Sequence, residues 1–297
     1  MSAPIRIGTR ESKLALWQAN HAKYLLEASG KACELVLIKS EGDVNLTTPL
    51  YEIGVQGIFT KALDIALLEN RIDIAVHSMK DVPVVQAQGI TEAAVLKRGS
   101  PFDICVTNIS PELFSQKVIT IGSSSLRRKA QWLNHYPRHT IEPIRGNVET
   151  RLQKLNSGQF DAVIFAEAGL DRLNIKPQNY VLLNWMLPAP AQGALLVSCR
   201  QDDKLMLEKC KFLTDENTFR CVTAERLFLR KLQAGCSAPV GALAEIINDE
   251  IIFKGNALTL DGTQKLEVEM RLNKSDFKLI GVKAAEDLIE KGALNLR

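Results

Sequence analysis

Short apolar runs alternate with stretches of helical period along most of this chain, the pattern of successive strand–helix units. Pro4–Ile7 predicts a strand, Gly8-Thr9 a turn, and Leu14-Ala15-Leu16-Trp17 the start of a helical stripe. The same order returns downstream: Val118–Ile121 predicts a strand, Gly122–Ser125 a turn, and Leu126, Ala130 and Leu133 fall at helical spacing. IGTRESKLALWQA and IGSSSLRRKAQWL are therefore counterparts, Ile7 standing against Ile121, 114 positions on. A second pair, Arg71–Ser78 and Gln159–Ala166, are short apolar strands entered through an Asp, with Asp73 and Asp161 88 positions apart. The unequal offsets place extra residues in the first unit, between the two matched segments, in a region that contains Ser40–Phe59. That stretch is rich in Gly, Thr and polar residues and has no sustained period. It predicts a long loop of the kind that serves as a lid or binding loop.

Two units of like order predict two related α/β domains with a cleft between them. Leu187–Gly193, with two prolines and a closing Gly, reads as a linker that returns the chain to the first domain. From about Asp215 the texture changes. A helix over Thr218–Leu232 leads into Gly235–Pro239, then strand-like runs Ala242–Ile247, Glu250–Phe253 and Lys265–Arg271. A last helix, Asp276–Lys291, has apolar residues at 277, 280, 284 and 288. The expectation is an α/β domain 1 over 1–97 and 192–214, an α/β domain 2 over 98–191, and a small α+β domain 3 over 215–297.

Composition narrows the class. The 297 residues are 46% hydrophobic and 24% charged, the mix of a soluble globular protein of two or three domains. No apolar run approaches the ~20 residues of a membrane helix, and MSAPIRIGTRES lacks a signal peptide's apolar stretch. A cytoplasmic protein without a membrane partner is expected. The net charge of +3, with three Trp and four Tyr, argues against a nucleic-acid partner. The six cysteines, at 33, 105, 199, 210, 221 and 236, include no C-x-x-C pair, so neither zinc nor a redox motif is expected. Pro137 separates His135 from His139, which removes a helical metal pair. No metal site is expected.

Candidate chemistry gathers at loop–helix junctions. Arg127 and Arg128 fall in the first turn of a predicted helix, where cations oppose the helix dipole. With Ser123, Ser124 and Ser125 and the open backbone N–H groups they form either an anion cradle or a solvated basic face. Thr9, Arg10 and Ser12 repeat the arrangement in the first unit. Arg145-Gly146-Asn147 precedes another helix with Val148, Leu152 and Leu155 as its stripe, Arg151 lies one turn in, and Arg172 follows a strand. The planar guanidinium fork suits carboxylates, so this set suggests a ligand with several of them. Lys80-Asp81 follows an apolar strand and is stopped by Pro83. Residues there often line a ligand crevice, so the two are either a surface ion pair or a working carboxylate. Cys236 lies among turn residues in Gly-Cys-Ser-Ala-Pro and is either an inert loop thiol or a reactive one.

Six segments, IGTRESKLALWQ, AVHSMKDVP, GSSSLRRKAQ, IRGNVETRL, PAPAQGAL and ERLFLRKLQAGCSAPVGALA, all lie within residues 5 to 244. Together and in this order they resemble the porphobilinogen deaminase family. The resemblance implies two periplasmic-binding-protein-like α/β domains flanking a cleft, plus a small C-terminal α+β domain. It implies a transferase that joins four porphobilinogens with loss of ammonia and releases hydroxymethylbilane, in tetrapyrrole and haem biosynthesis. It implies a dipyrromethane cofactor on a thioether at Cys236, contacted by Lys80, Asp81, Ser124, Ser125, Arg127, Arg128, Arg145 and Gly146. Substrate would meet Arg10, Ser12, Arg145, Arg151 and Arg172, with Asp81 as the catalytic carboxylate and the enzyme a monomer. Three segments depart from the family pattern: Ser40-Glu41-Gly42-Asp43, Gly54-Val55-Gln56-Gly57, where a Lys is usual, and Lys97–Asp103. The competing reading is a non-catalytic binding protein for a polycarboxylate or phosphate, which needs neither Asp81 nor Cys236.

Overall fold

Alternation along the first strand decides which way it faces. In β1 (Ile5–Thr9) both Ile5 and Ile7 enter one apolar cluster. Ser12 then caps α1 (Lys13–Ala28) through its hydroxyl, 3.3 Å from the N–H of Ala15. These elements belong to a computed structural model that describes residues 3–39, 60–233 and 238–296. β2 (Cys33–Leu37) and β3 (Ile74–Ser78) lie parallel to β1 on either side, and β10 (Leu195–Arg200) runs antiparallel between β3 and β4 (Ile90–Leu96). The five-stranded order is β2-β1-β3-β10-β4. Ile74 and Val76 face Ala19, Ala22 and Leu26 of α1, whereas Ala75 faces Leu63, Ala66 and Leu67 of α2 (Lys61–Leu68). A sheet covered by helices on both faces is the doubly wound α/β arrangement.

The second sheet repeats the first. Its order is β7 (Thr140–Glu142), β6 (Thr120–Gly122), β8 (Ala162–Ala166), β5 (Asp103–Thr107), β9 (Tyr180–Leu182). Cys105, Ile121 and Ile164 pack on Trp132 of α3 (Leu126–His135); Ile104, Val163 and Phe165 pack with Leu155 of α4 (Val148–Asn156) and Leu170 of α5 (Glu167–Arg172). Strand register proves the internal repeat: Ile7 pairs with Ile74, and Ile121 with Ala162, the offsets read from the sequence. The two aspartates do one job. Asp73 accepts from the N–H of Arg6 at 2.8 Å and Asp161 from that of Thr120 at 2.7 Å. The antiparallel neighbours correspond too, since Leu195 stands opposite Ser78 as Asp103 stands opposite Ala166.

One detail of the repeat differs from the sequence alignment. The N-caps are Ser12 and Ser125, so the strand-to-helix turn is one residue shorter in the second copy. Beyond it the helices align with Ala15 matching Arg128 and Gln18 matching Gln131, all four buried.

The last part of the chain forms a three-stranded antiparallel sheet, β11 (Val240–Ile247), β12 (Glu250–Leu258) and β13 (Lys265–Asn273). Helices α7 (Glu216–Lys231) and α8 (Phe277–Glu290) flank it in sequence, and Phe228 of α7 meets Phe253 of β12 at 5.1 Å between ring centres. β12 runs five residues beyond its predicted end because Gly255-Asn256-Ala257 is buried without an alternating pattern. The remaining small element, α6 (Lys204–Cys210), buries Met206 and Cys210 against the first sheet. By contact density the described residues gather into two units, one holding those up to 39 with 60–99 and 193–219, the other 100–192 and 220–296. The C-terminal sheet shares a unit with the second α/β sheet. Asn256 donates to Gln131 at 3.2 Å, and the N–H of Ala242 to the carbonyl of Pro188 at 3.0 Å. No helix among the described residues is long and apolar enough to cross a membrane.

Candidate active site

The first unit makes a recess at the carboxyl end of β3. The N–H of Met79 bonds the carbonyl of Ala194 at 3.0 Å, and that of Val82 the carbonyl of Met79 at 3.2 Å, closing a single 3-10 turn over Met79–Asp81. Met79 is buried beneath it, which leaves Lys80 half-buried and Asp81 exposed. Arg10, Gln18, Thr60, His77, Ser78 and Asp81 line the recess. Buried Gln18 donates to the Ser78 hydroxyl at 2.7 Å and fixes one wall. Burial, helped by the charge of Arg10, pulls the His77 imidazole down to about 4, so it is neutral at pH 7. Ser12 spends a lone pair on its helix cap, and its hydroxyl hydrogen remains available to donate.

In the second unit the three serines serve distinct ends. Ser125 caps α3, accepting from the N–H of Arg128 at 3.4 Å, and Ser123 accepts from the N–H of Ser125 at 3.3 Å. Ser124 donates its hydroxyl to the carbonyl of Ile144 at 2.7 Å and accepts from the N–H of that residue at 2.9 Å. This clamp holds the segment entering Arg145-Gly146. Asn147 caps α4, and Arg151 reaches back to the Gly146 carbonyl at 2.9 Å. Gly146 has φ +109, and an added Cβ would stand 2.7 Å from two carbons of Thr150. Burial lowers Arg145, and takes Arg172 down to about 10 against the opposing charge of Asp171.

Arg127 and Arg128 are not a solvated basic face. Both are buried around Asp103, which has no exposed surface. Arg127 Nη1 lies 2.9 Å from one carboxylate oxygen and donates to the Leu187 carbonyl at 2.8 Å. Arg128 Nη2 lies 2.8 Å from the other oxygen, and its Nη1 donates to the Ile164 carbonyl at 2.8 Å. Gln192 also donates to the Asp103 oxygen that Arg128 holds, at 2.8 Å. Burial pulls Arg127 down while Asp103 offsets part of the fall.

A family model described as porphobilinogen deaminase, dipyromethane cofactor binding domain, matches residues 5–208, and one for the porphobilinogen deaminase C-terminal domain matches 219–290. The chain belongs to the porphobilinogen deaminase family. A porphobilinogen deaminase of Campylobacter concisus is 42% identical over 300 residues, covering 98% of this chain and 96% of that protein. Among solved structures, a substrate-binding protein of an amino-acid transporter from Streptococcus pneumoniae, bound to L-arginine, overlaps with a TM-score of 0.43 at 12% identity. It covers 71% of this chain and 85% of that one. An arginine transport binding protein from Legionella pneumophila gives 0.41 at 13%, covering 71% and 92%. Scores of that size carry no weight for function.

As a member of the porphobilinogen deaminase family the chain is a transferase of tetrapyrrole biosynthesis with a dipyrromethane cofactor, and the binding-protein reading is not favoured. Arg10 and Asp81 come together in the recess of the first unit. Ser124, Gly146 and Arg151 come together in the second, where Ser125 caps the helix that carries Arg127 and Arg128. Cys236, the Ser40–Phe59 loop and its Gln56 lie outside the described residues. The other five cysteines are buried free thiols, and burial takes Cys199 up to about 11 and Cys210 to about 12. Asp103, Gln192 and His77 were not among the sequence candidates. Asp103 had a legible signal, a charge opening the apolar run Ile104-Cys105-Val106, since a carboxylate there needs a cationic partner.

Proposed function

We propose that this chain condenses four porphobilinogens head to tail, one ammonia leaving at each joining, and that water then releases the linear tetrapyrrole as hydroxymethylbilane. The family match across both parts of the chain carries the reading. The donor set fits the cofactor. Two linked pyrroles, each with an acetate and a propionate, bring four carboxylates. Two arginines against the single charge of Asp103 leave one net positive charge, and the buried Nε–H of Arg128 has no partner among the described residues. Arginine forks meet carboxylates with paired, charge-assisted hydrogen bonds.

On this reading Lys80, Ser124, Ser125, Arg127, Arg128, Arg145 and Gly146 hold the cofactor, and Cys236 is its thioether anchor. Ser124 offers its main chain, because its hydroxyl hydrogen goes to Ile144. Arg10, Ser12, Arg145, Arg151 and Arg172 hold substrate carboxylates. When bound, the cofactor supplies the pyrrole carbon from which the chain grows. In the incoming substrate the bond to the aminomethyl nitrogen breaks, ammonia leaves with the electron pair, and positive charge spreads onto the pyrrole nitrogen. Asp81 accepts the pyrrole N–H, offsets that charge and assists proton transfer. Neutral His77 beside it adds no competing cation. The enzyme is read as a cytoplasmic monomer acting on porphobilinogen without nucleic-acid or membrane partners, supported by the resemblance and the near-neutral net charge. Ammonia and tetrapyrrole measured in one incubation test the activity: the reading requires four ammonia per hydroxymethylbilane. Porphobilinogen bound but unconsumed would leave a binding protein.

A further inference from the structure

The duplicated α/β unit supplies an internal control for the buried Arg127–Asp103–Arg128 cluster. Register places Leu195 in the first unit where Asp103 stands in the second. The helix caps place Leu14 and Ala15 where Arg127 and Arg128 stand. Leu195 and Ala15 are buried and Leu14 half-buried, so the same fold closes there with apolar side chains. A buried ion cluster stabilises a fold poorly, because desolvation offsets the attraction, and well-packed apolar residues often replace such clusters without loss. The second unit nevertheless keeps two cations and one anion, with Gln192 and the carbonyls of Leu187 and Ile164 hydrogen-bonded to them and the Nε–H of Arg128 left over.

We infer that Asp103 is a positioning residue of the cofactor site, its carboxylate housing both guanidiniums side by side and setting their joint charge to +1. The inference rests on the proposed role of Arg127 and Arg128. Each carboxylate oxygen is ion-paired with one arginine, at 2.9 and 2.8 Å, so neither guanidinium can turn without giving up its ion pair. Arg128 is further pinned by Ile164, which fixes the direction of its unpartnered Nε–H. Without Asp103 two like charges would share one buried space.

The test compares Asp103→Asn, Asp103→Glu and the triple variant Asp103→Leu/Arg127→Leu/Arg128→Ala, which copies the first unit. Intact mass reads the fraction carrying two linked pyrroles, and a thermal melt reads the fold. Asp103→Asn should lower cofactor occupancy about tenfold, as losing an orienting partner does at other preorganised sites, and Asp103→Glu should recover much of it. The triple variant should melt within about 5 °C of the wild-type protein freed of cofactor and carry none. If Asp103→Asn fails to fold while the triple variant folds, the arginines need that carboxylate to be buried at all, which also supports the role. Wild-type occupancy in Asp103→Asn, or a triple variant that does not fold, overturns it. A wild-type protein lacking the two-pyrrole mass would instead strike at the cofactor reading itself.

Discussion

Replacing Gly146 with alanine should weaken the second unit by an amount set by two local effects. At φ +109 a residue with a Cβ is strained by about 1–3 kcal/mol. The new Cβ would also stand 2.7 Å from both Cβ and Cγ2 of Thr150. Thr150 cannot easily retreat, because its N–H and hydroxyl both donate to the side chain of Asn147 at 2.9 Å, and that helix cap contributes about 1 kcal/mol. Together these give about 2–4 kcal/mol, a melting shift of about 3–7 °C for a protein of 297 residues. Calorimetry of the cofactor-free protein measures it. Gly158→Ala is the control, since Gly158 has φ +78 but nothing within 4 Å of an added Cβ, and it should lose only about 1 kcal/mol. Equal losses at the two sites, or a Gly146→Ala loss below about 0.5 kcal/mol, would refute the steric reasoning. The same variant should raise KM more than it lowers kcat, since the displaced segment carries Arg145.

Asp81→Asn should cut turnover by about a hundredfold or more and leave the melting temperature unchanged, because Asp81 is exposed on its turn; near-normal turnover would remove its role. His77 makes stability depend on pH. Its folded value, about 4, lies below the ordinary 6.5, so its contribution is complete above 6.5 and is lost as pH falls through that window. The limit is about 3 kcal/mol, read as the difference between urea-unfolding profiles of wild type and His77→Gln from pH 7.5 to 4.5. Profiles that stay parallel would show that the imidazole is not held neutral by the fold.

The repeat was legible because two offsets, 114 and 88, are set by strand pairs whose registers the hydrophobic pattern already carries: Ile7 with Ile74 and Ile121 with Ala162. The aspartates entering β3 and β8 were legible for the same reason. The one-residue difference at the following turn was not. It rests on which serine caps the helix, and Ser123, Ser124 and Ser125 are equally good cap residues by type. The arginine positions could be read as a group, but their state could not. Nothing local to Arg127-Arg128 shows that Asp103, some 25 residues earlier, will sit between them; that follows only from the pairing of β5 with β8. The same holds for His77, whose neutrality depends on burial in the fold and on the charge of Arg10, far away in sequence.

On the proposed reading the polyanion site serves a primer that the protein itself carries. Intact-mass measurement of purified wild-type protein beside Cys236→Ser tests it most directly. Wild-type mass should be increased by two linked pyrroles, and Cys236→Ser should stay at its unmodified mass. An unmodified wild-type protein that still turns over porphobilinogen, or the same added mass in Cys236→Ser, would contradict it.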